Sequence, residues 1–149
     1  MALSTAAGSA LAISVAAPAT QDAAGYAALT FTEIGLIDKI GAIGGTFAEV
    51  EFQPLKGPKI TLKGSRDNGT LNPSYAVDSN DAGQALMRTA ANDPTSKFYS
   101  FMITRPDGEK VYFGGIVFGA PETIDTADTV TTANPTVKVC TNYVRVPAP

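Results

Sequence analysis

Between Ser96 and Phe118 apolar and polar positions alternate with a period of two, as a pleated strand requires. Tyr99, Phe101 and Ile103 share one face, and Phe98, Ser100, Met102 and Thr104 take the other. Arg105-Pro106-Asp107-Gly108 supplies turn chemistry, with Pro106 presetting φ and Gly108 able to take a positive one. The return run, Glu109 to Phe118, is rich in β-branched and aromatic residues. Gly114-Gly115 within it marks a bulge or a close backbone approach. The stretch predicts a long β-hairpin that forms the spine of a sheet.

The same reading along the rest of the chain predicts further strands. Ala28 to Ile40 reads as one, followed by a turn at Gly41 to Gly45. Thr46 to Phe52 is cleaner, with Thr46, Ala48, Val50 and Phe52 on one face and Phe47, Glu49, Glu51 and Gln53 on the other. Gln53 to Asn68 contains Pro54, Gly57 and Pro58 and reads as a loop with a short strand, PKITLKG. Thr70 to Val77 and Thr136 to Val146 are predicted strands, and Pro147-Ala148-Pro149 ends pairing. Asp81, with Gln84 three residues on, opens a helix of about three turns whose stripe is Ala82, Ala85, Leu86 and Thr89. Asn92-Asp93-Pro94 closes it. Residues 1–26 are small, apolar and free of bases, and read as an extended arm with a short strand near Ala10 to Val15. The expected architecture is a single, mainly β domain: a sandwich or barrel of about seven or eight strands with one packed α-helix.

Composition narrows the chemistry. The chain has 149 residues and a net charge of −3, which argues against a general nucleic-acid binder. It has no His, so Ser-His and Cys-His nucleophile pairs and imidazole metal sites are excluded. Cys140, the single cysteine, sits in an alternating run and reads as a buried structural thiol. Asp78 to Gly83 half resembles a calcium loop, but Ala82 and Thr89 stand where oxygen ligands belong, so helix capping is the better account. The glycines at 41–45 lack the Lys-Ser/Thr of a phosphate loop. Ser and Gly interrupt residues 1–26 too often for a secretory signal or a membrane-spanning helix. No cofactor or metal is expected, nor any membrane association. Glu49 and Glu51 are paired carboxylates on one strand face, an arrangement found more often on a solvated surface than in a glycosidase.

Charge is unevenly placed. Lys56, Lys59, Lys63 and Arg66 put four of the eleven bases into Gln53 to Asn68. They suit either a solvated edge strand protected from aggregation or a docking loop for an acidic partner. Glu122, Asp125 and Asp128 form the opposite, base-free stretch.

The order of elements resembles the major tail (tail tube) proteins of long-tailed bacteriophages, such as the lambda group. The resemblance runs from Gly83-Gln84-Ala85-Leu86 through Arg105-Pro106-Asp107-Gly108 to the TVKV run at Thr136 to Val139, and covers roughly Thr30 to Val146. The chain departs from that family in having an Ala-rich N-terminal arm and no C-terminal immunoglobulin-like domain. The resemblance implies a non-enzymatic virion protein. Its hexameric rings stack into a tube, and the subunits' sheets join into a continuous inner barrel. DNA and a tape-measure protein pass through without specific binding, and terminator and baseplate proteins complete the tail. It also implies assembly from the host cytoplasm. On this reading residues 53–68 protrude, and Lys56, Lys59, Lys63 and Arg66 meet Glu122, Asp125 and Asp128 of the next ring. Glu49 and Glu51 then face the channel. The alternative is a small secreted carbohydrate- or protein-binding β-sandwich, which would stay monomeric when concentrated. An enzyme is a distant third.

Overall fold

The computed structural model describes residues 3–148; Met1 and Ala2 of the expected arm and Pro149 of the expected tail lie outside the described residues. In chain order the elements are β1 (Ala10–Ser14), α1 (Ala23–Ala27), β2 (Thr32–Glu33), β3 (Ile37–Lys39), β4 (Thr46–Phe52), β5 (Ile60–Asp67), β6 (Thr70–Leu71) and β7 (Ser74–Ala76). Then come α2 (Ala82–Asn92), β8 (Tyr99–Thr104), β9 (Lys110–Gly119), β10 (Glu122–Thr123), β11 (Thr132–Ala133), β12 (Thr136–Val139) and β13 (Val144–Val146).

The hairpin predicted from alternation is β8–β9, closed by the Arg105–Gly108 turn with Gly108 at φ 98°. It is the centre of a seven-stranded sheet in the order β2-β1-β8-β9-β12-β6, with β13 also pairing β9. The register puts Leu11 beside Ile103, Ile13 beside Phe101, Phe101 beside Phe113, and Val117 beside Val137. One face of this sheet is therefore continuously apolar. Phe101 and Phe113 are fully buried and stack at 5.3 Å between ring centroids. Gly115 is needed for close approach, because a Cβ there would lie 2.7 Å from the Lys138 carbonyl oxygen.

A four-stranded sheet, β10-β11-β7-β3, contributes Tyr75 and Ala133 to the same core, and α2 contributes Met87 and Ala90. The result is a β-sandwich with a packed helix, as expected in class. It has thirteen strands and two helices among the described residues, against about seven or eight strands and one helix predicted. Two of the further strands, β10 and β11, lie between residues 120 and 135, and the second helix, α1, lies at the end of the expected arm; three more strands come from interruptions within predicted ones. Ala28 to Ile40 is divided at Leu36, a non-glycine residue at φ 58°. Thr70 to Val77 is divided at Asn72-Pro73, where Pro cannot donate to the ladder. Thr136 to Val146 bends at Cys140 to Asn142, so β12 and β13 both pair β9 at different points along its length. Cys140 is accordingly half-buried rather than buried.

Helix α2 begins where predicted. Asp81 is its N-cap and accepts from the Gln84 amide at 2.9 Å and the Gly35 amide at 3.1 Å. Its buried stripe differs from the prediction. Gly83, Gln84, Met87 and Ala90 face inward, while Ala82, Ala85 and Thr89 are exposed and Leu86 is half-buried. The rotation follows from Gln84, which is wholly buried and fully bonded. Its Nε2 donates to Gly35 O (3.0 Å) and Ala76 O (2.8 Å), and its Oε1 accepts from Asp78 N (2.8 Å). One side chain thus ties the helix to the β2–β3 joint at Gly35, to β7 at Ala76 and to the turn at Asp78.

The N-terminal stretch is integrated rather than extended. β1 pairs β8 over five residues inside the large sheet, and Leu11 and Ile13 are fully buried. Residues 16–31 then cover part of that sheet's other face. Ser100 Oγ donates to Ala16 O at 2.7 Å, and Tyr26 stacks on Tyr112 at 5.2 Å. Small alanines allow this close layering.

Candidate assembly interface

β4 and β5 pair only with each other and project from the sandwich as a two-stranded arm. The segment expected as a loop is the tip turn, between Phe52 and Ile60, together with the whole return strand β5. Every residue of β4 is exposed, and so is all of β5 except Gly64. Register sorts the side chains onto two unlike faces. Val50 lies opposite Leu62, and Phe52 opposite Ile60. These four are 47%, 58%, 62% and 46% exposed, and Leu55 at the tip is fully so. An apolar face of this size left in water marks a surface that another molecule covers.

The other face is charged and internally matched. Lys59 Nζ lies 2.7 Å from Glu51 Oε2, and this ammonium holds the Glu51 carboxyl below its ordinary range. Glu49 sits opposite Lys63. Lys63 Nζ and the Arg66 guanidinium stand over the Phe47 ring at 5.1 and 5.3 Å. Of the four predicted docking cations, only Lys56 has neither an ion pair nor an aromatic partner among the described residues. Glu49 and Glu51 belong to the arm, beside the lysines that offset them.

At its base the arm is fastened by polar contacts. Lys138 Nζ reaches Asp67 Oδ1 at 2.8 Å, and Tyr143 Oη donates to Asn68 O at 2.8 Å. The Lys138 hydrogen bond, then the Gly69 amide, keeps the Asp67 carboxyl below its usual range.

Glu122, Asp125 and Asp128 lie on residues 121–130, all of which are exposed. None of the three makes an ion pair among the described residues. Within one chain the structure brings Lys59 to Glu51 and leaves the arm cations apart from these three acids. Asp78 and Asp81 serve the helix start: Asp78 Oδ1 accepts from the Asn80 amide at 3.0 Å. No group of three His, Cys, Asp or Glu among the described residues is placed to hold a metal, and no helix there is long and apolar enough to cross a membrane.

The apolar arm face was missed in the sequence. Its signal is Val50/Phe52 and Ile60/Leu62 alternating on both sides of a Pro-Gly turn, a pattern identical to that of a hairpin packed on a core.

The fold is similar to that of solved chains from tail and injection-system assemblies. A chain from the six-fold symmetrised baseplate of the anti-feeding prophage superposes with TM-score 0.70 at 8% identity, covering 98% of this chain and 99% of that one. A chain of the SPP1 tail tube matches with TM-score 0.70 at 12% identity, over 92% of this chain and 75% of that one. A chain from the sheath/tube terminator of the extracellular contractile injection system PVC gives TM-score 0.67 at 8% identity, with 99% of each covered. No family model and no curated protein sequence matches this chain. At these identities the likeness establishes the fold.

Proposed function

We propose that this protein is a structural subunit of a phage or phage-like tail tube, in which copies form rings and the rings stack around a channel for DNA. The observation that carries the reading is the arm. Near-complete superposition on chains of tail assemblies is joined by a two-stranded projection whose whole apolar face lies in water. An isolated two-stranded ribbon is marginal at best. Contact with a neighbouring subunit would bury its bare face and stabilise it.

In this reading the arm reaches the next ring through Val50, Phe52, Leu55, Ile60 and Leu62, with Lys56 at the tip supplying the one disengaged charge. Lys59, Lys63 and Arg66 shape the arm more than they bind a partner, being held by Glu51 and Phe47. Glu49 and Glu51 are carried forward as arm residues. As a lumen coating they would be largely neutralised by Lys63 and Lys59. Tape-measure, terminator and baseplate proteins are the other partners this role entails, and it needs no catalysis.

Negative-stain microscopy of concentrated protein tests the reading. Rings or tubes are the expected result. A monodisperse monomer at high concentration would overturn it and favour a secreted binding module instead.

A further inference from the structure

The four-stranded sheet has two unpaired edges, β3 and β10, at opposite ends of the order β10-β11-β7-β3. Beside the β3 edge runs an open groove of about 750 Å³. Its lining includes apolar Ile37, Ile40 and Ile103, with Lys39 and Arg105 against a single acid, Asp38. Among the described residues Lys39 has no ion pair, and Arg105 only a loose one, 3.9 Å from a Glu109 carboxylate that Arg145 approaches to 3.0 Å. The groove therefore combines an apolar floor with net positive charge.

The opposite edge has the complementary chemistry. Residues 121–130 leave β10 fully exposed and carry Glu122, Asp125 and Asp128 without a base. Between the acids stands Ile124, 80% exposed. These carboxylates find no cation in their own chain among the described residues. The segment is held away from its own groove, because β10 is paired to β11, and both β11 and β7 stand between it and β3.

We infer that the groove beside β3 receives the acidic 122–128 segment of a second copy, with Ile124 on the isoleucine floor and the carboxylates at Lys39 and Arg105. This inference rests on the self-assembling reading above. It assigns the acids to a lateral partner rather than to the arm of a stacked one. Groove and segment are different surfaces, so the contact is heterologous and propagates head to tail until it closes.

The test is a charge swap read by the concentration at which assemblies form in sedimentation, with melting curves confirming that each variant folds. Lys39→Glu with Arg105→Glu should raise that concentration roughly tenfold, and so should Glu122→Lys with Asp125→Lys. All four changes in one chain should restore wild-type assembly. If each pair assembles as wild type does, or the fourfold variant fails to recover, the inference is overturned while the tube reading stands. Rescue of Glu122→Lys/Asp125→Lys by Lys56→Glu would likewise overturn it, placing the acids against the arm. A wild-type chain that never assembles overturns both.

Discussion

Replacing Phe52 and Leu62 by Thr removes much of the arm's apolar face while introducing β-branched side chains that suit a strand. The two residues are 62% and 58% exposed in the free subunit, so about three-fifths of each remains to be buried on docking. Fully burying a Phe or Leu side chain contributes about 1.5–3 kcal/mol. The remaining exposure then corresponds to roughly 1–2 kcal/mol per residue, or about 2–4 kcal/mol per arm. Association costs consume part of any such sum, so a measured loss of about 1–2 kcal/mol per arm is the realistic figure. That is about a tenfold rise in the concentration needed for tube growth. The assay is light scattering or sedimentation of tubes, with the melting temperature as a control. Exposed positions of this kind change little in the free fold.

Salt separates this mechanism from an electrostatic one. Between 0.1 M and 1 M the Debye length falls from about 10 Å to about 3 Å, which weakens exposed ion pairs but leaves apolar burial intact. Wild-type tubes should therefore persist at 1 M salt, at a concentration raised by no more than the roughly tenfold that the ion pairs at Lys39 and Arg105 supply. Lys56→Glu with Lys59→Glu and Lys63→Glu should cost less than the Thr pair. Tubes that grow normally with both Thr substitutions, yet dissolve in salt or fail in the triple reversal, would refute the reasoning.

Gln84→Leu should lower stability by about 3 kcal/mol, because it strands two carbonyls and one amide that now bond the buried amide side chain. Urea unfolding would show this as a lower midpoint, and a loss under about 1 kcal/mol would mean that water replaces those bonds. Acidification should loosen the arm's base before the body. The Asp67 carboxyl is depressed in the folded chain by Lys138, so its contribution is present above the unfolded value near 3.8 and is lost as pH falls through the lower folded value. Amide exchange at Asn68 and Gly69 that speeds below about pH 4, while Phe101 and Phe113 stay protected, is the expected pattern.

The hairpin spine was legible because its alternation is long and both strands are buried on one face, leaving a single register for Phe101 and Phe113. The start of α2 was legible because Asp81 caps it by a local rule. Its buried stripe was not, because Gln84 is polar and periodicity assigns polar residues outward. Only the two carbonyls and one amide that surround it, from Gly35, Ala76 and Asp78, make its burial favourable, and the fold has to bring them together. β1 was legible as a short strand near Ala10 to Val15, but its burial was not: Leu11 and Ile13 are embedded in alanines, and only pairing with β8 places them in the core. In the arm, the alternation of Val50 and Phe52 gave the strand correctly. Whether its apolar side meets a core or water is a property of the tertiary fold, and no local pattern records it.

The two faces of the arm also bear on why such a surface can exist without driving disordered aggregation. An edge ribbon that is apolar on both faces would stack indiscriminately. Here Glu51 with Lys59, Glu49 opposite Lys63, and two cations over Phe47 make one face costly to bury, because desolvating paired charges returns little. Only the Val50–Phe52–Ile60–Leu62 face is cheap to cover. Adhesion is thereby confined to one side, and the Lys138–Asp67 and Tyr143–Asn68 contacts restrict the direction that side points. One-sided adhesion from a fixed direction gives a directed heterologous contact, as stacking requires, rather than an open aggregate. In the proposed assembly the matched charges of the arm would thus act chiefly by limiting contact to one face.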